Sequence, residues 1–254
     1  MDELLKTILE GVQATEFQVY LTASNDCTAF RKQAYSDYKA NRKAPRPIHY
    51  EALRQHLITD HGASVSTTIE ADDAIGIDAG NNSDCVIVSI DKDLLQIPGK
   101  HYNFVKQQFT TVNAHSGMRF FYKQLLMGDK ADNIKGVAGI GEVKAERILN
   151  SSEDYCEEAW FNIVRATYNN DEEMWHNGEC LLILQKPFPQ GTWSLHPLGS
   201  QLLQEMEEKP LYLQRQNVGT SAYTTQEMSM DGPVQLGLDL EEHTNSPVIT
   251  QQWT

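Results

Sequence analysis

The stretch Leu126-Met127-Gly128-Asp129-Lys130-Ala131-Asp132-Asn133-Ile134-Lys135-Gly136-Val137-Ala138-Gly139-Ile140-Gly141 constrains this chain more than any other. Asp129 and Asp132 stand at i, i+3, so both carboxylates can point to one side of a helical turn. That geometry suits a hard divalent cation, which takes oxygen ligands. Gly136, Gly139 and Gly141 permit tight turns and close approach by a ligand. The amides leading into a helix predicted over 141–150 face outward, where they would stabilise an anionic phosphate. A metal site beside a phosphate site implies phosphodiester chemistry on a nucleic acid.

Further acids fall at the ends of predicted elements. Asp26 follows a short strand predicted at 17–22. Glu70, Asp72 and Asp73 open a helix predicted over 70–80. Asp91 and Asp93 follow Cys85–Ile90, an apolar β-branched run that reads as a buried strand. Each cluster alone is ordinary: acids at a helix N-terminus cap it, and Asp91-x-Asp93 fits a solvated loop. Four clusters gathered at one sheet edge would repel one another unless a cation neutralised them. Their convergence predicts divalent metal, and two ions about 3.5–4 Å apart would serve a phosphodiester displacement.

Residues 29–46 are strongly basic, with Arg31, Lys32, Lys39, Arg42, Lys43 and Arg46 interleaved with Phe30, Tyr35 and Tyr38. Cations neutralise phosphates and aromatics stack on bases, which is the pairing expected for single-strand contact. A charge run is otherwise a solvated helix face. Beside an acid-rich metal site, substrate binding is the better reading.

The net charge of −14 needs dividing before it argues against a nucleic-acid partner. Residues 1–150 hold 17 Lys and Arg against 19 Asp and Glu, whereas 151–254 hold 4 against 16. Without the eight candidate metal ligands the first segment is mildly basic, and bound cations would offset part of their charge. The acidic C-terminal part suggests solvation or a protein partner. Cys27, Cys85, Cys156 and Cys180 have no paired spacing and read as reduced thiols rather than a zinc site or disulfide set. No apolar run approaches the ~20 residues needed to span a bilayer. No signal peptide is expected, so the location predicted is the cytoplasm of an infected or host bacterium.

Strands and helices alternate in a way that predicts an α/β fold with a mainly parallel sheet, whose sites lie at strand C-termini. Helices are also expected at 2–15, 49–60 and 116–127, and a β-ribbon at 101–113. Two helices are expected over 153–184, with breaks at Asn169-Asn170-Asp171 and at Asn177-Gly178. A mostly disordered polar tail is expected over 213–254.

Taken in order, Phe30-Arg31-Lys32, Tyr38-Lys39-Ala40-Asn41-Arg42, Glu70-Ala71-Asp72-Asp73, Ser89-Ile90-Asp91-Lys92-Asp93, Gly128 to Asn133 and Gly136 to Gly141 resemble the 5′-to-3′ exonuclease and flap endonuclease family. The chain looks closest to its phage-encoded branch, the small exonucleases of T-odd podoviruses. The resemblance covers roughly residues 17–185. It implies a PIN-like α/β nuclease core over 1–115 with a helical arch, and a DNA-binding helix–three-turn–helix clamp domain over 116–212. It implies that Asp26, Glu70, Asp72, Asp73, Asp91, Asp93, Asp129 and Asp132 are metal-site acids for two Mg²⁺ or Mn²⁺ ions. Tyr38, Lys39 and Arg42 match arch residues near the scissile phosphate. The turn 136–141, through Gly136, Gly139 and Gly141 with Lys130 and Lys144 beside it, matches the element that grips duplex phosphates, with K⁺ as its companion ion. Arg31, Lys32, Lys43 and Arg46 complete the expected DNA contacts. The family's first strand, with its aspartate, has no counterpart here, so a sheet edge and one ligand are expected to be missing.

Two function classes follow. One is a metal-dependent 5′ nuclease acting on DNA with 5′ ends or flaps. The other is a catalytically weak junction-binding fragment, or half of a split nuclease. Metal-dependent hydrolysis by the purified chain separates them. Finally, Gln235-Leu236-Gly237-Leu238-Asp239-Leu240 resembles bacterial sliding-clamp binding peptides. Gln235, Leu236, Leu238 and Leu240 would then seat in a groove of the host clamp.

Overall fold

The computed structural model describes residues 1–208 apart from 24, 83 and 153, and not the side chains of Asn25 and Asp26. The tail and its clamp-like peptide at 235–240 lie outside the described residues.

Helix α1, Asp2–Val12, buries Leu5, Ile8 and Val12 at helical spacing and carries Asp2 and Glu3 in its first turn, where acids favour the helix dipole. Strand β1, Tyr20–Thr22, leads into a short 3-10 turn at Asn25–Thr28 and helix α2, Ala29–Ala34. After α2 the basic segment runs through turns and irregular backbone as far as helix α3, Tyr50–His61. The expected helical arch is therefore one short helix followed by non-helical chain. Pro45 and Pro47 restrict the backbone there and remove two amide donors.

Strand β2, Ser64–Ser66, pairs in parallel with β1. Its polar Ser-Val-Ser composition hid it from a hydrophobicity reading. Helix α4, Ala71–Asn81, starts at Glu70, which forms a reciprocal capping box with Asp73. Strand β3, Val86–Val88, pairs in parallel with β4, Gly99–Asn103, and β4 pairs antiparallel with β5, Gln108–Val112. The β-ribbon is where the sequence places it.

The strands form a mixed α/β arrangement rather than one continuous ladder. Among the described residues β1–β2 and β3–β4–β5 are separate hydrogen-bonded groups. Helix α4 joins them through side chains. Tyr20 donates to Asp78 on one side, while Ile75 and Ala79 pack with Cys85 and Ile87 on the other.

Helix α5, Ala114–Met127, is capped by Asn113 and ends where Gly128 takes φ 68°. Two-residue strands β6, Gly128–Asp129, and β7, Ile134–Lys135, then form a tight antiparallel turn carrying both aspartates. A Cβ on Gly128 would lie 2.2 Å from the Gly136 nitrogen, so this close approach requires glycine. Helix α6, Glu142–Asn150, follows the glycine turn, and α7, Glu157–Tyr168, and α8, Asp171–Leu181, complete the helical part with α9, Pro197–Glu208. The expected break at Asn177-Gly178 is absent: both lie inside α8. Gly178 is there because the Trp193 indole occupies the space of a side chain, with a Cβ meeting its nitrogen at 2.5 Å. The largest apolar core joins Phe121, Tyr122, Leu125, Trp160, Phe161 and Trp193. Among the described residues no helix is long and apolar enough to cross a membrane.

Candidate metal centre and nucleic-acid interface

Three chain segments bring acids to one place. The capping geometry of α4 sets Glu70, Asp72 and Asp73 at its first turn. The end of β3 delivers Asp91 and Asp93, whose loop is pinned by Asp91 N–H donating to Ser89 and Asp93 N–H donating to the Asp91 carboxylate, both at 2.9 Å. The β6–β7 turn presents Asp129, which accepts from Ala131 N–H at 2.7 Å, and Asp132. The fourth expected contributor, Asp26, sits in the 3-10 turn at Asn25–Thr28, and its side chain lies outside the description.

The protein itself supplies cations to one side of this cluster. Arg31 is 3% exposed and makes a two-pronged contact with Asp73, at 2.6 and 2.8 Å, and a third bond to Glu70 at 3.2 Å. Its remaining donors reach the carbonyls of Cys180 and Leu182 at 3.0 and 2.9 Å. Arg31 was expected to face DNA. Instead it is an internal clamp between α2, α4 and the chain leaving α8. Asp73, fully buried, also accepts from Leu184 N–H at 3.1 Å, so its oxygens are committed to structure.

Lys39 is bonded to Glu70 and stands 3.6 Å from Asp132. Arg42 meets Asp132 at 2.5 Å. Tyr38 is buried and donates to Glu70 at 2.8 Å and Asp132 at 3.2 Å. Burial would raise the Glu70 carboxyl, but Arg31 and Lys39 hold it below the ordinary range. Burial, with Glu70 and Asp132 nearby, pushes the Tyr38 hydroxyl well up and keeps it a neutral donor.

On the other side the acids accept from an amide side chain and backbone N–H groups. Among the described residues no Lys, Arg or His lies within ion-pair distance of Asp91, Asp93 or Asp129. Gln124 donates to Asp93 at 2.8 Å. Burial, then the charges of Asp91 and Asp129, raise the Asp93 carboxyl to about 7. Burial, with Glu70 and Asp91, likewise pushes Asp72 well up. In both, burial disfavours the charged form and neighbouring acids add to it. No three of these acids bring their oxygens within 4.8 Å of one another among the described residues, although Asp91, Asp129 and Asp132 are near enough to act on the Asp93 carboxyl.

Sequence reasoning missed Gln124 and Gln96. Gln96 is 2% exposed, donates to Gln124 at 2.7 Å and accepts from Ile183 N–H at 3.1 Å, so this buried pair fixes Asp93 against the helical part. The available signal was a polar residue on the apolar face of α5, beside Phe121 and Leu125.

The remaining expected contacts are exposed. Lys32, Lys43, Arg46, Lys130 and Lys144 lie at the surface. Arg46 pairs with Glu51 at 2.7 Å and covers the Tyr50 ring. In the glycine turn, Gly139 has φ 75° and its carbonyl accepts from Lys144 at 2.7 Å, while Gly136 is packed against Gly128. Gly141 opens α6 with open space around its Cα.

Residues 2–124 match the family described as the 5′-3′ exonuclease, N-terminal resolvase-like domain. A flap endonuclease Xni of Shewanella baltica is 32% identical over 149 residues, 52% of this chain and 57% of that protein. The corresponding protein of Shewanella denitrificans is 33% identical over 152 residues, 52% of this chain and 59% of its own length. The chain thus spans little more than half the length of these relatives. Among solved structures, the phage T5 protein co-crystallised with metal ions is similar with a TM-score of 0.55 at 16% identity, over 81% of this chain and 90% of that one. A phage T5 flap endonuclease complex with DNA and metal ions gives 0.52 at 16% identity, over 81% and 89%. These likenesses show a shared fold.

Proposed function

We propose that this chain is a member of the 5′-3′ exonuclease and flap endonuclease family and hydrolyses phosphodiester bonds of DNA at 5′ ends and 5′ flaps with divalent cations as cofactors. The observation that carries this reading is the gathering of Asp91, Asp93 and Asp129 with no ion-pair partner among the described residues, where burial and then the charges of Asp91 and Asp129 raise Asp93 to about 7. An all-carboxylate set fits hard divalent ions. We assign Asp91, Asp93 and Asp129 as ligands, with Asp72, Asp132 and Glu70 at the border, for two Mg²⁺ or Mn²⁺ ions. Bound there, such ions would lower the pKa of a water nucleophile and stabilise charge on the leaving oxygen.

The chain's own residues position the substrate. Lys39 and Arg42, held beside Glu70 and Asp132, are placed to donate to a phosphate reaching the cluster. Tyr38 orients Glu70 and Asp132 from behind. Lys32, Lys43, Arg46 and Lys130 serve the flanking backbone phosphates. The turn 136–141 and the start of α6, with Lys144, serve the duplex, with K⁺ as the companion ion. Such work is done in the cytoplasm of a bacterium. The peptide 235–240 would bring the enzyme to the host sliding clamp. A peptide of residues 230–244 should bind that clamp at micromolar concentration and lose binding with Leu238→Ala and Leu240→Ala together; undiminished binding contradicts it.

The central test uses the purified chain with 5′-labelled duplex and 5′-flap DNA. Cleavage with Mg²⁺ or Mn²⁺ that stops with EDTA is expected. Cleavage at equal rate in EDTA, or tight DNA binding with no hydrolysis under any divalent ion, overturns the catalytic assignment.

A further inference from the structure

We propose a second metal site, of the transition-metal class, formed by Asp2, His56 and His61 where the start of α1 meets the end of α3. It is the one group of three His, Cys, Asp or Glu ligand atoms lying within 4.8 Å of one another among the described residues. Both imidazoles direct Nε2 at the same carboxylate oxygen, Oδ1 of Asp2, at 2.6 Å from His56 and 2.9 Å from His61.

The surroundings hold these rings in place. His56 uses its other nitrogen, Nδ1, on the Asp60 carboxylate at 2.5 Å. A carboxylate behind a ligating imidazole fixes its tautomer and raises its basicity. The His61 ring packs edge-on against His56, with centroids 5.0 Å apart, and lies 5.9 Å from Phe17. The His56 and His61 side chains are 29% and 19% exposed, so each is braced on one side, while Asp2 is 70% exposed and can adjust. Bonds of about 2.0–2.1 Å set tetrahedral ligands roughly 3.3 Å apart. The observed contacts therefore need to open by less than about an ångström to admit an ion.

The donor set decides which ion. Two imidazole nitrogens with one carboxylate select Zn²⁺, Cu²⁺, Ni²⁺ or Co²⁺ over Mg²⁺. The acid cluster, made wholly of oxygen donors, has the opposite preference. The ion would fasten α1 to α3, two helices otherwise joined through the packing of Leu5 with Leu57. Asp2 and His56 are 54 positions apart, so such a cross-link would restrain a long loop in the unfolded chain.

The test titrates the full chain with Zn²⁺ by calorimetry and with Co²⁺ by visible absorption. The expected result is one site with the strong d–d bands of four-coordinate Co²⁺, which an all-carboxylate six-coordinate site does not give. The double variant His56→Ala/His61→Ala should lose those bands and weaken Zn²⁺ binding at least tenfold, as should Asp2→Asn, while leaving Mg²⁺-dependent cleavage unchanged. Asp93→Asn should keep the bands. Bands that persist in the double variant, bands lost with Asp93→Asn, or a wild-type chain without four-coordinate Co²⁺ would overturn the assignment.

Discussion

The two sides of the acid cluster have the same residue type and opposite fates. On one side Asp73, Glu70 and Asp132 are neutralised by Arg31, Lys39 and Arg42 from the basic segment. On the other, Asp91, Asp93 and Asp129 accept from an amide side chain and backbone N–H groups. Carboxylates paired with a buried arginine hold the fold together. Carboxylates left to repel one another store unfavourable charge that a cation relieves. The difference separates structural acids from candidate ligands, which counting acids does not.

The largest expected effect is at Arg31. Arg31→Ala leaves Asp73 buried without its charge partner, and removing one half of a buried pair costs about 3–5 kcal/mol. Chemical denaturation followed by circular dichroism should show that loss. A midpoint unchanged within error would mean that Asp73 finds another partner and is open to metal after all.

On the opposite side, Asp129→Asn and Asp91→Asn should slow hydrolysis by at least ~10²-fold while DNA affinity stays within a few fold, because the lost interaction acts on developing charge. Cleavage assays and fluorescence anisotropy on the same preparations check this. Wild-type turnover in both variants removes these residues from the ligand set.

Asp93 sharpens the comparison through pH. Its folded carboxyl lies near 7, above the ordinary 3.8. A raised carboxyl contributes stability that is present below its unfolded pKa and is lost as pH rises toward 7. The ion-free chain should therefore lose roughly 1–3 kcal/mol between about pH 4 and pH 7.5 from this group. Asp93→Asn should flatten that loss, and Mg²⁺ should stabilise the wild type more at pH 8 than at pH 5. Thermal melts across pH with and without Mg²⁺ measure both; a Mg²⁺ effect independent of pH contradicts the placement.

Only part of this contrast was legible in the sequence. The strand end at Asp91 and the helix start at Glu70 follow from local pattern and stand where that pattern puts them, whereas Asp129 and Asp132 lie on the β6–β7 turn rather than on a helical turn and meet different partners. Arg31 was misread because a basic run looks solvated until its partner is known, and Asp73 lies 42 positions away. The helical arch that the resemblance implies does not form over 35–49, where contacts from Tyr38, Lys39 and Arg42 to distant acids fold the segment back. The Gln96–Gln124 pair and the Asp2–His56–His61 group also depend on tertiary contacts that have no local pattern.

The smallest effect belongs to the exposed end of the basic segment. Arg42→Ala should leave stability within about 1 kcal/mol, because half-exposed ion pairs contribute little. It should slow cleavage and reduce the salt slope of DNA binding by about one unit, as should Lys39→Ala. An unchanged slope with unchanged turnover would reduce both to partners of Glu70 and Asp132.

The most direct measurement is a crystal of the full chain grown with Mn²⁺ and recorded for anomalous scattering. Density is expected between the Asp91, Asp93 and Asp129 carboxylates at about 2.1 Å from their oxygens, with Arg31 still paired to Asp73. Density on Asp73 with Arg31 displaced, or no density among Asp91, Asp93 and Asp129 at saturating Mn²⁺, would contradict the ligand assignment.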